Sequence, residues 1–268
     1  MFTRVIGNTS TLEFTVLFRS WRDRRRMSQL DLAVTAGTTQ RHLSFIEQGR
    51  SVPGRSMVAR LAESLALPLR ERNELLLAAG FAPAFAESPF DGALLATIRA
   101  SLQQILDGHQ SFPPLVVDAG GFIVAHNDAF RVLSDGADPA LLRSPVNGLR
   151  LALHPAGMSS RIVNFPEWAP HVIDNLRRSI ATNPDPRRVA LLDELTGYVP
   201  ALPLSSNHLG FAVPMQLQTN EGVLSLVTTA MHFATANDVT VSELRLESFL
   251  PTNEETSAAL VRLAARPR

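Results

Sequence analysis

Apolar residues recur at helical spacing through the first 80 residues of the chain. Phe14, Leu17, Phe18 and Trp21 stand at i, i+3, i+4 and i+7, which makes one apolar helix face. Ser28 is an N-cap candidate ahead of Gln29, and the helix it opens turns Leu32, Ala33 and Ala36 inward before Gly37 breaks it. A third helix runs from Gln40 to Gln48 with Leu43 and Ile46 inward, and Gly49 stops it. Beyond the loop Arg50–Gly54, a fourth helix carries Met57, Val58, Leu61, Ala62 and Leu65. A fifth starts near Pro68 and ends at Ala79–Gly80. Short helices with short connections predict an all-α domain over residues 10–80.

A proline- and alanine-rich stretch, residues 81–91, reads as a linker, and a different pattern begins after it. A helix is expected from about Gly92 to Gln104, with Leu94, Leu95, Ile98, Leu102 and Ile105 as its stripe. Leu115–Asp118 and Phe122–His126 flank the glycine pair Gly120–Gly121 and read as two strands joined by a tight turn. Asn127 to Leu133 looks helical and Leu149 to Leu153 strand-like. Amphipathic helices follow at Trp168–Ala181 and Pro186–Leu195. Leu209, Phe211, Val213, Met215 and Leu217 alternate with polar or small residues, the mark of a half-buried strand. Thr219–Gly222 turns the chain, and Val223–Phe233 returns apolar on both faces, hence as a central strand. A strand at Leu244–Phe249 and a helix from Asn253 complete an α+β domain with an antiparallel sheet over residues 92–268.

Length and charge sharpen this division. A chain of 268 residues suits two domains. Residues 1–80 hold 12 arginines against 7 acids, a net +5, and the remainder holds 13 against 18, a net −5. A basic head on an acidic body points to nucleic acid for the first module and another partner for the second. Cysteine is absent, which excludes disulfides, zinc knuckles and thiol nucleophiles. No apolar run approaches the roughly 18 residues of a membrane span, and the N-terminus lacks a secretory layout, so a cytoplasmic protein is expected. Enzyme signatures are missing: no phosphate-cradling glycine loop, no serine elbow, no HExxH pair, and none of the 7 histidines pairs with another at i, i+4. Neither catalysis, nor a metal, nor a cofactor is expected.

The segment Met27–Ala33, Ala36–Leu43 and Ile46–Arg50 carries the most specific signal. Ala33 lets two helices cross closely, Gly37 supplies the turn, and Leu43 and Ile46 lock the second helix on the first. Thr39, Gln40, Arg41 and Ser44 then face outward at the start of that second helix, where a recognition helix meets base edges. Gln pairs bidentately with adenine and Arg with guanine. Ser28 and Gln29, at the preceding helix start, and Arg50 are placed for phosphate. Arg22–Asp23–Arg24–Arg25–Arg26 adds electrostatic grip. By these residues the segment resembles the XRE family of helix-turn-helix regulators, the Cro and phage-repressor type. The resemblance implies a lambda-repressor-like five-helix fold, a DNA operator as partner, Gln29 on phosphate and Gln40 as first base-contacting residue. An XRE-fold adaptor that binds protein instead is the alternative.

Pro114–Asp118, Ala125–Asn127, Asn147–Arg150 leading to His154–Pro155, Glu167–Trp168 leading to Leu176–Arg177, and Asp238–Thr240 through Glu247–Phe249 resemble the ligand-binding domain of MmyB-like regulators, a PAS-like fold. One departure is Thr196–Pro200, where an aromatic-rich helix would be expected. The resemblance implies a fatty-acid-like or other small apolar ligand in the C-terminal domain; a homodimer is expected as the form that would bind paired half-sites. Candidate ligand residues are Phe122, Asn127, Arg150, His154, Trp168, Phe211, Met215 and Met231. Each also has a plainer reading: Asn127 as a helix cap, His154 as a structural loop histidine, Trp168 and the strand residues Phe122, Phe211, Met215 and Met231 as core. Arg150 and Arg177 are the candidates for an acidic head group, with a solvated salt bridge as the plainer reading for each.

Overall fold

Helices α1 (Thr3–Arg24), α2 (Gln29–Thr35), α3 (Gln40–Glu47), α4 (Arg55–Ser64) and α5 (Leu69–Ala78) follow the stripes read from the sequence. This is a computed structural model that describes residues 3–109, 111–199 and 213–265. One unit comprises the residues up to Pro89 together with Ala234–Ser242; the other comprises Phe90–Phe233 and the residues from Glu243 onward.

In the first unit, Phe14, Phe18 and Trp21 of α1 pack with Leu32 and Ala33 of α2, Leu43 and Ile46 of α3, Leu61 of α4, and Leu75 and Leu76 of α5. Full burial of each Leu- or Phe-sized side chain contributes roughly 1.5–3 kcal/mol, so this core suffices to hold short helices that would be marginal alone. Gly37, at φ +62°, makes the left-handed turn between α2 and α3 that a side chain would strain. Residues after α5 stay tied to this unit. The buried Asn73 amide donates to the Phe85 carbonyl at 2.8 Å, and its oxygen accepts the Ala84 and Phe85 N–H groups at 2.9 and 3.1 Å.

The second unit begins with α6 (Ala96–Gly108) and builds an antiparallel sheet from β1 (Pro114–Val117), β2 (Ile123–His126), β3 (Met215–Thr219), β4 (Gly222–His232) and β5 (Arg245–Pro251), in the order β2-β1-β5-β4-β3. Between β2 and β3 lie α7 (Phe130–Ser134), α8 (Gly148–Leu153), α9 (Phe165–Thr182) and α10 (Pro186–Thr196); α11 (Val239–Glu243) precedes β5, and α12 (Glu254–Ala265) follows it. The expected α+β arrangement with an antiparallel sheet is the one found.

The two faces of the sheet serve different layers. Leu115, Val117, Met215, Leu217, Leu224 and Leu226 join the large cluster that includes Trp168, Ile173 and Leu176 of α9 and Leu191 and Leu195 of α10. Val116 and Leu246 face the other way, against Leu102 and Leu106 of α6. Register extends this assignment, because residues directly opposite in an antiparallel pair project from the same face. Glu247 stands opposite Leu115 and Arg245 opposite Val117, so both charged side chains project into the larger layer.

Two expectations change. Leu149–Leu153 forms helix α8 and not a strand, because the Asn147 side chain accepts the Arg150 N–H at 3.0 Å and caps a helix there. Leu149, Leu151 and Leu153 alternate, but in so short an apolar run the cap decides the conformation. β4 lies between β3 and β5 in the sheet, yet Thr228–His232 are exposed on both faces, so the strand is not buried throughout. Of the expected strand Leu209–Leu217, residues 209–212 lie outside the described residues.

Candidate nucleic-acid interface and sensor site

Helices α2 and α3 are each set by a cap. The Ser28 hydroxyl accepts the Asp31 N–H at 3.1 Å while the Asp31 carboxylate accepts the Ser28 N–H at 3.2 Å, a capping box. Hydrogen bonds from the Ser28 hydroxyl and then its backbone hold the Asp31 carboxyl below its ordinary value. Ser28, expected on phosphate, thus has its hydroxyl engaged in its own helix start. Thr39 caps α3 by accepting the His42 N–H at 3.1 Å, and the Thr38 hydroxyl lies 3.0 Å from His42 Nδ1.

The outward face of α3 carries the predicted residues. Thr39, Gln40 and Arg41 are exposed, whereas Leu43 and Ile46 are fully buried. The Arg41 guanidinium rests 5.4 Å from the Phe45 ring centre, which orients it without neutralising it. Ser44 is half-buried and accepts from the Gln48 amide at 3.0 Å. Arg50 is exposed at the end of the motif.

A network that sequence reasoning missed sits behind this face. Glu47 at the end of α3 accepts Arg22 Nε at 2.6 Å and Nη2 at 3.2 Å, and the Gln29 amide at 2.8 Å. The Arg22 and Glu47 side chains are only 11% and 5% exposed, so this is a nearly buried, fork-shaped pair. That hydrogen bond, foremost among its causes, raises the Arg22 guanidinium above its ordinary value. The pair ties α1 to α3, and Gln29 is held by one of its amide hydrogens. Nothing short-range in the sequence links positions 22, 29 and 47; only the buried side of α3, one residue beyond Ile46, hinted at it. The basic cluster divides as a result. Arg22 and Arg25 turn into the fold, Arg25 reaching the Leu65 and Ala66 carbonyls at 2.9 and 3.3 Å, while Arg24 and Arg26 remain exposed.

In the second unit the predicted ligand residues separate. Asn127 is buried, and its amide reaches the carbonyls of Leu106, His109 and Phe112 at 3.2, 2.9 and 3.0 Å while its oxygen accepts the Ala129 N–H at 3.0 Å. It fastens the end of α6 to the entry of α7. Arg150 forms a fork with Glu194 at 2.6 and 2.7 Å, and the Tyr198 hydroxyl donates to Glu194 at 3.2 Å. Arg150 is raised, and Glu194 lowered, chiefly by that shared hydrogen bond. The His154 ring meets Tyr198 edge-on at 4.9 Å and accepts the Ala156 N–H at 3.0 Å. Trp168 and Met215 belong to the large core. Phe122 is half-buried against Gly120, where a Cβ would meet its ring at 3.0 Å. Met231 is 50% exposed and lies opposite Leu246, on the α6 side of the sheet, so it does not share a face with Met215. Arg177 is exposed beside Asp174 at 3.7 Å. Phe211 lies outside the described residues.

The larger layer holds two arginines that the sequence did not single out. Arg188 shares the α10 face of Leu191, Leu192 and Leu195, one turn before the buried leucines. Burial, then the charge of Arg245, lowers its guanidinium from the ordinary value, while the Asp185 carboxylate acts in the opposite direction. Among the described residues, Arg188 has one hydrogen-bond partner, the Ser179 hydroxyl at 2.7 Å. Arg245 pairs with Glu247 at 2.6 Å. His232 stands opposite Arg245 on β4 and is exposed.

Among the described residues, no group of three or more His, Asp or Glu side chains is placed to hold a metal, and no helix is long and apolar enough to cross a membrane. Residues 13–75 match a helix-turn-helix domain, and residues 98–263 match the MmyB-like transcription regulator ligand binding domain. No curated protein sequence matches the chain. Among solved structures, the chain is similar to an RNA-binding light-oxygen-voltage receptor at 15% identity and a TM-score of 0.26, over 95% of this chain and 64% of the receptor. A helix-turn-helix unit joined to a sensor domain matched over more than half of the sequence places this chain in the family of MmyB-like transcription regulators.

Proposed function

We propose that this DNA-binding regulator reads a specific operator as a homodimer through α3, and that its C-terminal unit responds to a small apolar ligand of fatty-acid type. The carrying observation is the split of α3 into a buried face, Leu43 and Ile46, and an exposed opening turn, Thr39, Gln40 and Arg41. An exposed Gln–Arg pair at a helix start is what base-edge contact in the major groove requires. Arg50, Arg24 and Arg26 are exposed and suit phosphate. Gln29, steadied by Glu47, suits the same task.

The acid group of the ligand draws support from two guanidiniums on the side of the larger layer, Arg188 on the α10 face of Leu191 and Leu195 and Arg245 opposite Val117, in the layer that also holds Trp168 and Met215. Arg150, bound to Glu194, is committed elsewhere. In a dimer the ligand would favour one spacing of the two α3 helices, matching or mismatching half-sites about 34 Å apart.

Arg41→Ala tests the DNA reading. Affinity for a selected operator falls by about 1–3 kcal/mol at one base position, with scrambled duplex little affected. Equal loss on both duplexes would make Arg41 a phosphate contact. A flat dependence of affinity on salt would favour a protein-binding adaptor. Mass spectrometry of an organic extract tests the ligand, and sedimentation tests the dimer.

A further inference from the structure

The connection between β4 and β5, Ala234–Ser242, belongs to the DNA-binding unit although both strands it joins belong to the sensor unit. Asp238 lies within it, and its two carboxylate oxygens have different tasks. Oδ1 accepts the Val241 N–H at 3.2 Å, and the Asp238 carbonyl accepts the Ser242 N–H at 3.0 Å, which together start α11. Oδ2 accepts the Ser88 N–H at 3.1 Å. Alongside, the Val239 N–H donates to the Ala86 carbonyl at 2.8 Å, so the two segments run parallel for one bridge. Ser88, Val239 and Val241 are buried, which shields these bonds from water.

The clasp has firm ground on either side. Toward the helix-turn-helix, the buried Asn73 of α5 makes three hydrogen bonds to residues 84 and 85, immediately before the bridged Ala86. Toward the sensor, α11 ends at Glu243, two residues before Arg245. A proline- and alanine-rich stretch left unbonded would let each unit ignore the other. Here hydrogen bonds and covalent chain run without a gap from α5 through residues 84–88 and Asp238 to the start of β5.

We propose that Asp238 is the coupling clasp of this regulator, transmitting the state of the Arg245 end of β5 to the segment after α5. Its regulatory meaning rests on the sensor reading given above. A displacement of Arg245 by an anionic ligand pulls on α11, and the Asp238 carboxylate passes that pull to Ser88. Sensor and reader are thereby biased together, which is the physical content of coupling between sites.

Hydrogen exchange on the full-length chain tests the clasp without any ligand. Wild type, Arg245→Gln, Asp238→Asn and the double variant are compared. Asp238→Asn keeps a carbonyl oxygen able to cap α11 and removes one carboxylate acceptor, the one that Ser88 uses. Arg245→Gln is expected to speed exchange in residues 84–88 about fivefold in the wild-type background and less than about twofold on top of Asp238→Asn. Equal increments in both backgrounds, or no response of residues 84–88 to Arg245→Gln, overturns the proposal. Ser88→Pro, which deletes the donor and leaves Asp238 intact, must reproduce the loss of response in residues 84–87. Titration with sodium dodecanoate is read separately: failure to bind removes the fatty-acid reading and leaves the exchange result standing.

Discussion

Removing the Glu47 carboxylate perturbs the most concentrated charge network of the DNA-binding unit. Glu47→Ala strips Arg22 of two hydrogen bonds, at 2.6 and 3.2 Å, and Gln29 of one at 2.8 Å. Because the Arg22 side chain is only 11% exposed, the guanidinium is left largely out of water with the Met27 carbonyl, at 2.8 Å, and Asp23 as remaining partners. Breaking a buried pair from one side costs about 3–5 kcal/mol when the surviving charge is left uncompensated, and with Asp23 still 2.9 Å from Arg22 the loss lies at the lower end of that range. In a domain of this size each kcal/mol moves the midpoint by roughly 4–8 °C, so a loss of about 3 kcal/mol lowers it by roughly 12–24 °C. Thermal unfolding followed by far-UV circular dichroism reads the shift. The double variant Arg22→Ala/Glu47→Ala should cost less than the sum of the single ones, because the orphaned charge leaves with its partner. A midpoint drop below about 4 °C for Glu47→Ala, or strict additivity in the double variant, would refute the reasoning.

Gly157→Ala should destabilise the sensor unit by about 2 kcal/mol or more, since its new Cβ would lie 2.2 Å from the Leu151 carbonyl oxygen, a backbone atom that cannot swing aside; an unchanged urea midpoint would show that the chain relaxes there. Glu194 gives the sensor unit an acid-sensitive element. Its folded-state pKa is lowered chiefly by Arg150, so the stabilisation is complete above the usual carboxylate range and is lost as pH falls through the folded value. Wild type should therefore exceed Glu194→Gln in stability at pH 7, with the gap closing below about pH 4, and a gap independent of pH would contradict the pairing.

How much the sequence disclosed follows the range of the interactions involved. The helix-turn-helix was readable because each of its parts is local: the stripes of α1 to α5, the cap Ser28, and the turn glycine Gly37 all act within a few residues. The exposure of Thr39, Gln40 and Arg41 followed from the same periodicity that buries Leu43 and Ile46. Local pattern failed at Leu149–Leu153, where alternation and helix period are indistinguishable over five residues and the Asn147 cap decided.

By itself, then, the sequence determined the two kinds of module, the basic reader and its outward residues, because helix period, caps and charge are properties of neighbouring positions. Tertiary structure alone decided which charges are spent. It joined Arg22 to Glu47 across 25 positions, Arg150 to Glu194 across 44 and Ser88 to Asp238 across 150. Hydrogen bonds and Coulomb forces act over a few ångströms in space and are indifferent to separation along the chain, so such pairings exist only once the helices and the sheet have been packed.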